Sequence, residues 1–222
     1  MAQQTVVPAQ TKYQPTFSLT NVTGTTIDYA WETMPGNLPE TYGNTVFLWQ
    51  TAAQQVPSTA PAKSQAVGSD DEDGSDQFGE LQLTEESYLV AYAVGGKVAN
   101  IVMLAMVPAA GETASQIVVP DVMITFVGST SISFSYEMPP GTQPGVDGDW
   151  VGIWEGVGES ALYASPPMGI QAIDEGSPSG EGAFRGIEVL RDTKYTIGYF
   201  KGGWDPKKPT QTTLACSASI GD

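Results

Sequence analysis

The feature that most constrains this chain is a repeat inside it. Residues 26–50, TIDYAWETMPGNLPETYGNTVFLWQ, align without a gap on residues 131–155, SISFSYEMPPGTQPGVDGDWVGIWE. Eight of the 25 positions are identical: Ile27 with Ile132, Glu32 with Glu137, Pro35 with Pro140, Gly36 with Gly141, Pro39 with Pro144, Gly43 with Gly148, Val46 with Val151 and Trp49 with Trp154. A second block, ESYLVAYAVGG at 86–96, matches TKYTIGYFKGG at 193–203 and pairs Tyr88 with Tyr195 and Tyr92 with Tyr199. Self-similarity over a spacing close to the commonest domain size means two units that fold by the same rules. The 222 residues divide on this reading into a first domain, 1–110, and a second, 111–222, with a linker starting at 108–113.

Each unit alternates apolar and polar residues. Phe17 and Leu19, then Ile27, Tyr29 and Trp31, have counterparts in Ile124 and Phe126, then Ile132, Phe134 and Tyr136. A period of two puts one side of a strand on a core and the other in water. Turn-forming residues at 21–25 and 128–130 make each set a hairpin. Pro/Gly-rich loops, 34–43 and 138–148, break the ladder before a third strand at 45–50 and 150–155. Further strands are expected at 80–84, 87–94 and 98–107, and at 185–190, 194–200 and 211–220. Several short strands in about 100 residues imply an all-β fold of tandem duplicated immunoglobulin-like β-sandwich domains. Trp49 and Trp154 are expected in the two cores. Residues 51–79, poor in large apolar side chains, read as a mobile acidic loop insertion in the first domain.

The stretch YEMPPGTQPGVDGDWVGIWEGV, 136–157, resembles the SKICH-type immunoglobulin-like domain. The residues that carry the resemblance are Tyr136, Pro144, Asp149, Trp150, Val151, Gly152, Ile153 and Trp154. The first copy departs from it, with Asn44, Thr45 and Phe47 where the second has Asp149, Trp150 and Gly152. The resemblance covers under a tenth of the chain. It implies a sandwich that associates with proteins or membrane surfaces without catalysis, and it transfers no binding residue.

Composition removes whole classes of function. The 9 basic against 25 acidic residues give a net charge of −16 spread over both halves, so there is no basic patch for nucleic acid. There is no histidine, which removes the usual Ser-His-Asp and Cys-His constellations and histidine zinc sites. The single cysteine, Cys216, permits no internal disulfide. No apolar run is long enough for a transmembrane segment. The lack of a signal peptide and of disulfides implies a cytoplasmic location, with leaderless secretion as the other route.

The remaining candidates lie where the copies differ. Asp70, Asp71, Asp73 and Asp76 form an acidic run with Gly74 at its turn, a candidate metal site in which carboxylates would take calcium. No other cofactor is indicated. Asp147 and Asp149, next to Trp150, and Trp204 on the KGGWDP turn are candidate ligand-binding residues, because loops carry recognition. The chain therefore reads as a non-catalytic binding or structural module whose aromatic, hydroxyl-rich surface suits carbohydrate or protein partners. A secreted or surface-associated effector, a toxin or adhesion component acting by membrane insertion or assembly, is the alternative. Sandwich edge strands allow a homo-oligomer.

Overall fold

The computed structural model describes residues 9–110 and 118–221; residues 111–113 of the expected linker lie outside them. The chain is all-β, with strands β1 (Gln10–Tyr13), β2 (Thr16–Val22), β3 (Ile27–Glu32), β4 (Thr45–Gln50), β5 (Lys63–Ala66), β6 (Asp73–Phe78), β7 (Tyr88–Ala93), β8 (Ile101–Val107), β9 (Asp121–Val127), β10 (Ser131–Glu137), β11 (Trp150–Glu155), β12 (Gly169–Ala172), β13 (Ser179–Arg185), β14 (Tyr195–Phe200) and β15 (Leu214–Ile220). A single-turn helix, α1 (Pro144–Asp147), sits in the second Pro/Gly loop. The antiparallel sheets run β2-β3-β6 and β5-β4-β7-β8 in the first unit, and β13-β10-β9 and β1-β15-β14-β11-β12 in the second. A three-stranded sheet facing a larger one is an immunoglobulin-like sandwich arrangement. Val46, Leu48, Val151 and Ile153 point between the sheets into one continuous buried cluster that runs through both units.

A tyrosine near the start of the strand after the crossover fixes each sandwich corner. Thr84 N donates to Tyr88 Oη at 2.9 Å, and Leu190 N donates to Tyr195 Oη at 2.9 Å. This tyrosine corner is a hallmark of the architecture, and it accounts for the repeat of Tyr88 as Tyr195.

The expected strands at 80–84 and 185–190 are not there. Their places are taken by β6 and β13, just upstream, and the supposed mobile insertion 51–79 contains β5 and β6. The physical reason is that β6 and β13 carry few apolar side chains to betray them. A Cβ on Gly74 would lie 2.6 Å from the Trp31 ring, and one on Gly180 would lie 2.5 Å from the Tyr136 hydroxyl oxygen. The neighbouring strand's aromatic lies over the glycine and supplies the missing apolar cover.

Trp49 and Trp154 are buried, but not between the sheets. Alternation turns them to the opposite face, where Trp49 packs with Phe47 and Leu89, and Trp154 with Trp150, Phe200 and Leu214. Met34 of the first unit's Pro/Gly loop belongs to that second cluster. Each loop thus covers the other unit. A Cβ on Gly36 would lie 2.7 Å from Ser160 O, one on Gly141 would lie 2.5 Å from Val56 O, and Val56 N donates to Pro140 O at 2.8 Å. Both glycines have positive φ, 86° and 87°, so this approach requires the residue with no side chain.

The units also pair across both junctions. β1 pairs with β15, Gln10 opposite Ile220 and Tyr13 opposite Ser217. At the other junction Val118 pairs with Leu104 of β8. Along the repeat, Tyr13 corresponds to Val118 and Ser217 to Leu104, so the two pairings are one interaction made twice. β1 therefore hydrogen-bonds across the boundary drawn at 110/111.

Candidate functional site

The loop end of the second unit collects all four ligand candidates, and its centre is a charge pair that the sequence does not announce. β11 begins at Trp150 opposite Phe200, so Asp149 and Lys201, one residue beyond, face each other. Lys201 Nζ lies 2.6 Å from Asp149 Oδ2, and both side chains are fully buried. Tyr199 Oη donates to the same Oδ2 at 2.8 Å, and Gly202 N donates to Oδ1 at 2.7 Å. Asp147, on α1, places Oδ2 3.6 Å from Lys201 Nζ. Burial pushes the Asp149 carboxyl up, while the Lys201 ammonium and the Tyr199 and Gly202 donors pull it down. Burial and the adjacent Asp149 push the Tyr199 hydroxyl well up.

Trp150 is also fully buried, stacked on Phe200 with ring centroids 4.0 Å apart, and its Nε1 donates to Thr210 O at 3.3 Å. Neither Asp149 nor Trp150 has any surface to offer a ligand in this structure, because internal bonds and packing use them fully. Trp204 is half-buried, held by its N–H donating to Gly148 O at 3.0 Å, and Asp147 is partly exposed. The first unit has a neutral version of the same node. Tyr92 Oη donates to Asn44 Oδ1 at 3.0 Å and Asn37 Nδ2 donates to it at 2.8 Å, with Val94 in the place of Lys201. The joint change of Asn44 and Val94 to Asp149 and Lys201 between the repeats is the signal that points to the pair.

The four metal candidates do not converge. Asp70 accepts from Thr41 N and Oγ1 at 2.8 and 2.7 Å, which holds its carboxyl below the usual range. Asp71 accepts from Ser69 Oγ at 2.5 Å, and Asp76 from Gln65 Nε2 at 2.5 Å. Asp73 opens β6 opposite Glu32. Among the described residues no group of three or more Asp, Glu, Cys or His side chains is placed to hold a metal ion. The acidic stretch instead braces the first Pro/Gly loop, where Gly36 N donates to Glu72 Oε1 at 2.6 Å and Thr33 N to Glu72 O at 2.8 Å.

A different surface stands out: the outward face of β9, β10 and β13. It carries Ser131, Ser133 and Ser135 with the exposed Met123 and Phe126 beside them. A shallow groove of about 380 Å³ runs past Met123, Ser135 and Glu181. Sequence reasoning missed this face because it treats single exposed apolar residues on polar strands as ordinary surface.

Among solved structures, the chain is similar to the FN1-FN3 domains of chicken CNTN1, at 16% identity over 89% of this chain and 63% of that one, with a TM-score of 0.26. The chain thus spans less than two thirds of that chain's length. No family model matches the chain, and no curated protein matches it. What stands is a weak resemblance to an immunoglobulin-like or FN3 fold, and the SKICH-type likeness stays confined to 136–157. The expectation of a cytoplasmic location is withdrawn: an absent leader pattern and a single cysteine do not fix a compartment. No helix among the described residues is long and apolar enough to cross a membrane.

Proposed function

We propose that the chain is a non-catalytic binding or structural module, made of two immunoglobulin-like domains that arose by duplication and divide near 110/111. It recognises a carbohydrate or protein surface through the outward face of β9, β10 and β13. The observation that supports this most directly is the chemistry of that face. Serine hydroxyls alternate along β10, and Phe126 and Met123 keep 38% and 37% of their surface exposed on an otherwise polar sheet. An aromatic ring flanked by hydroxyls can stack on a sugar face or anchor a protein contact. The buried charge pair, by contrast, is committed to internal bonds.

A glycan array probed with the unsubstituted protein and with Phe126→Ala and Met123→Ala tests this reading. Binding is expected to fall at least tenfold in Phe126→Ala, with the melting temperature unchanged, because removing a central aromatic anchor costs roughly 2 kcal/mol or more. Binding that survives both substitutions overturns the assignment of the face, and a silent array removes carbohydrate from the proposal.

A further inference from the structure

The contact between Lys201 and Asp149 is built for more than an ion pair. Nζ lies 2.6 Å from Oδ2 and neither side chain is reached by solvent. Burying two full charges costs hydration that their attraction repays only with excellent geometry. The first unit shows that the fold does without them, because Asn44 and Val94 hold the same two positions. A third residue changes in step. Where the first unit has Tyr42, the second has Asp147, whose carboxylate stands 3.6 Å from Nζ. A buried amine and carboxyl with a second, partly exposed carboxylate beside them are the parts of an amide-forming reaction.

We propose that Lys201 and Asp149 condense to an intramolecular amide that joins β14 to β11, with Asp147 carrying the proton. The ammonium first gives a proton to Asp149 Oδ2, which it already touches, leaving a neutral amine and a carboxylic acid. The upward push of burial on the Asp149 carboxyl acts in the same direction. The Nζ lone pair then adds to Cγ, a C–N bond forms, and the carbonyl π pair moves onto Oδ1. Gly202 N, 2.7 Å from Oδ1, donates to that developing oxyanion. Asp147 takes a proton from Nζ and delivers it to Oδ2, and the Cγ–Oδ2 bond breaks with its electron pair leaving on water. Asp147 is regenerated by the end of the step. An ammonium and a carboxylate become an amide and one water, so no oxidant, cofactor or second substrate is needed. Tyr199 Oη, 2.8 Å from Oδ2, orients the departing oxygen. The product is neutral in a site that excludes the water needed to reverse it.

Intact-mass spectrometry of the denatured full chain decides the matter. The expected mass is about 18 Da below that of the sequence, the loss of one water on covalent modification. Trypsin should also fail to cut after Lys201, leaving the Tyr199–Lys201 segment attached to the peptide that holds Asp149. Lys201→Arg keeps the charge and should show the full mass. Asp147→Ala should leave a measurable uncondensed fraction in protein that elutes as folded. Full sequence mass in the folded, unsubstituted protein, with normal cleavage after Lys201, overturns the proposal. Complete condensation in Asp147→Ala overturns the role of Asp147 alone.

Discussion

At the scale of single residues, the two units solve one problem in two ways, and the difference predicts how each responds to substitution. The node around Asn44 is built from the neutral groups of Asn44, Asn37 and Tyr92, with Val94 where the second unit has Lys201. Asn44→Asp should therefore destabilise the protein by about 3–5 kcal/mol, because it leaves a buried carboxylate unpaired. Adding Val94→Lys, which rebuilds the second unit's pair, should recover a large part of that loss in urea unfolding. The buried tyrosines make a second prediction. Burial raises the hydroxyls of Tyr29, Tyr92, Tyr163 and Tyr199 above their ordinary value of 10.0. The folded state then keeps protons that the unfolded chain releases, so stability is full below pH 10 and falls as pH climbs above it. Tyrosinate absorbance should appear together with loss of the β-sheet circular dichroism; ionisation in a still-folded protein would contradict the burial. Asp149 was legible as part of a place where the copies diverge, but not as buried. An aspartate after a glycine reads the same whether it faces water or a lysine at the end of the paired strand.

At the scale of elements, legibility followed side-chain chemistry. β3 and β10 alternate apolar and polar residues, β4 and β11 are apolar runs set off by the Pro/Gly loops, and all four were placed within a residue. β6 and β13 were missed because glycine replaces the apolar residue that alternation needs, and the aromatic that fills the space sits on the neighbouring strand. This makes the glycines sensitive. Gly74→Val should cost about 1–3 kcal/mol, since its side chain must displace the Trp31 ring. A thermal melt checks this, and an unchanged melting temperature would mean that the ring is free to move. β1 was invisible for a related reason: three of its four residues are exposed, and its partner lies at the far end of the chain. Its charged contact, Lys12 with Asp121 at 2.7 Å, is half-exposed and is worth under about 1 kcal/mol. The backbone ladder matters more. Removing residues 1–14 should uncover the edge of β15, lower the melting temperature and promote self-association visible by light scattering, as bare edge strands do. A truncated chain that stays monomeric and equally stable would show β1 to be dispensable.

At the scale of the whole molecule, repetition explains the scaffold and the exchange of parts explains its unity. Each unit lends the other a covering loop, the first adds β1 to the second's sheet and the second returns a bridge through Val118, so burial and pairing cross the boundary that sequence similarity draws. The sequence could show the two units but not this exchange, because the contacts join residues such as Gly36 and Ser160, or Tyr13 and Ser217, that no local pattern connects. The match between the β1–β15 ladder and the Leu104–Val118 bridge has a topological consequence. The chain follows an almost closed circuit in which one junction is covalent and the other is made by hydrogen bonds alone. The order of the halves is then arbitrary to the fold. A circular permutant opened between Ala110 and Val118, with a short tether closing the gap between Gly221 and Ala9, would run second half first and arrive at the same architecture.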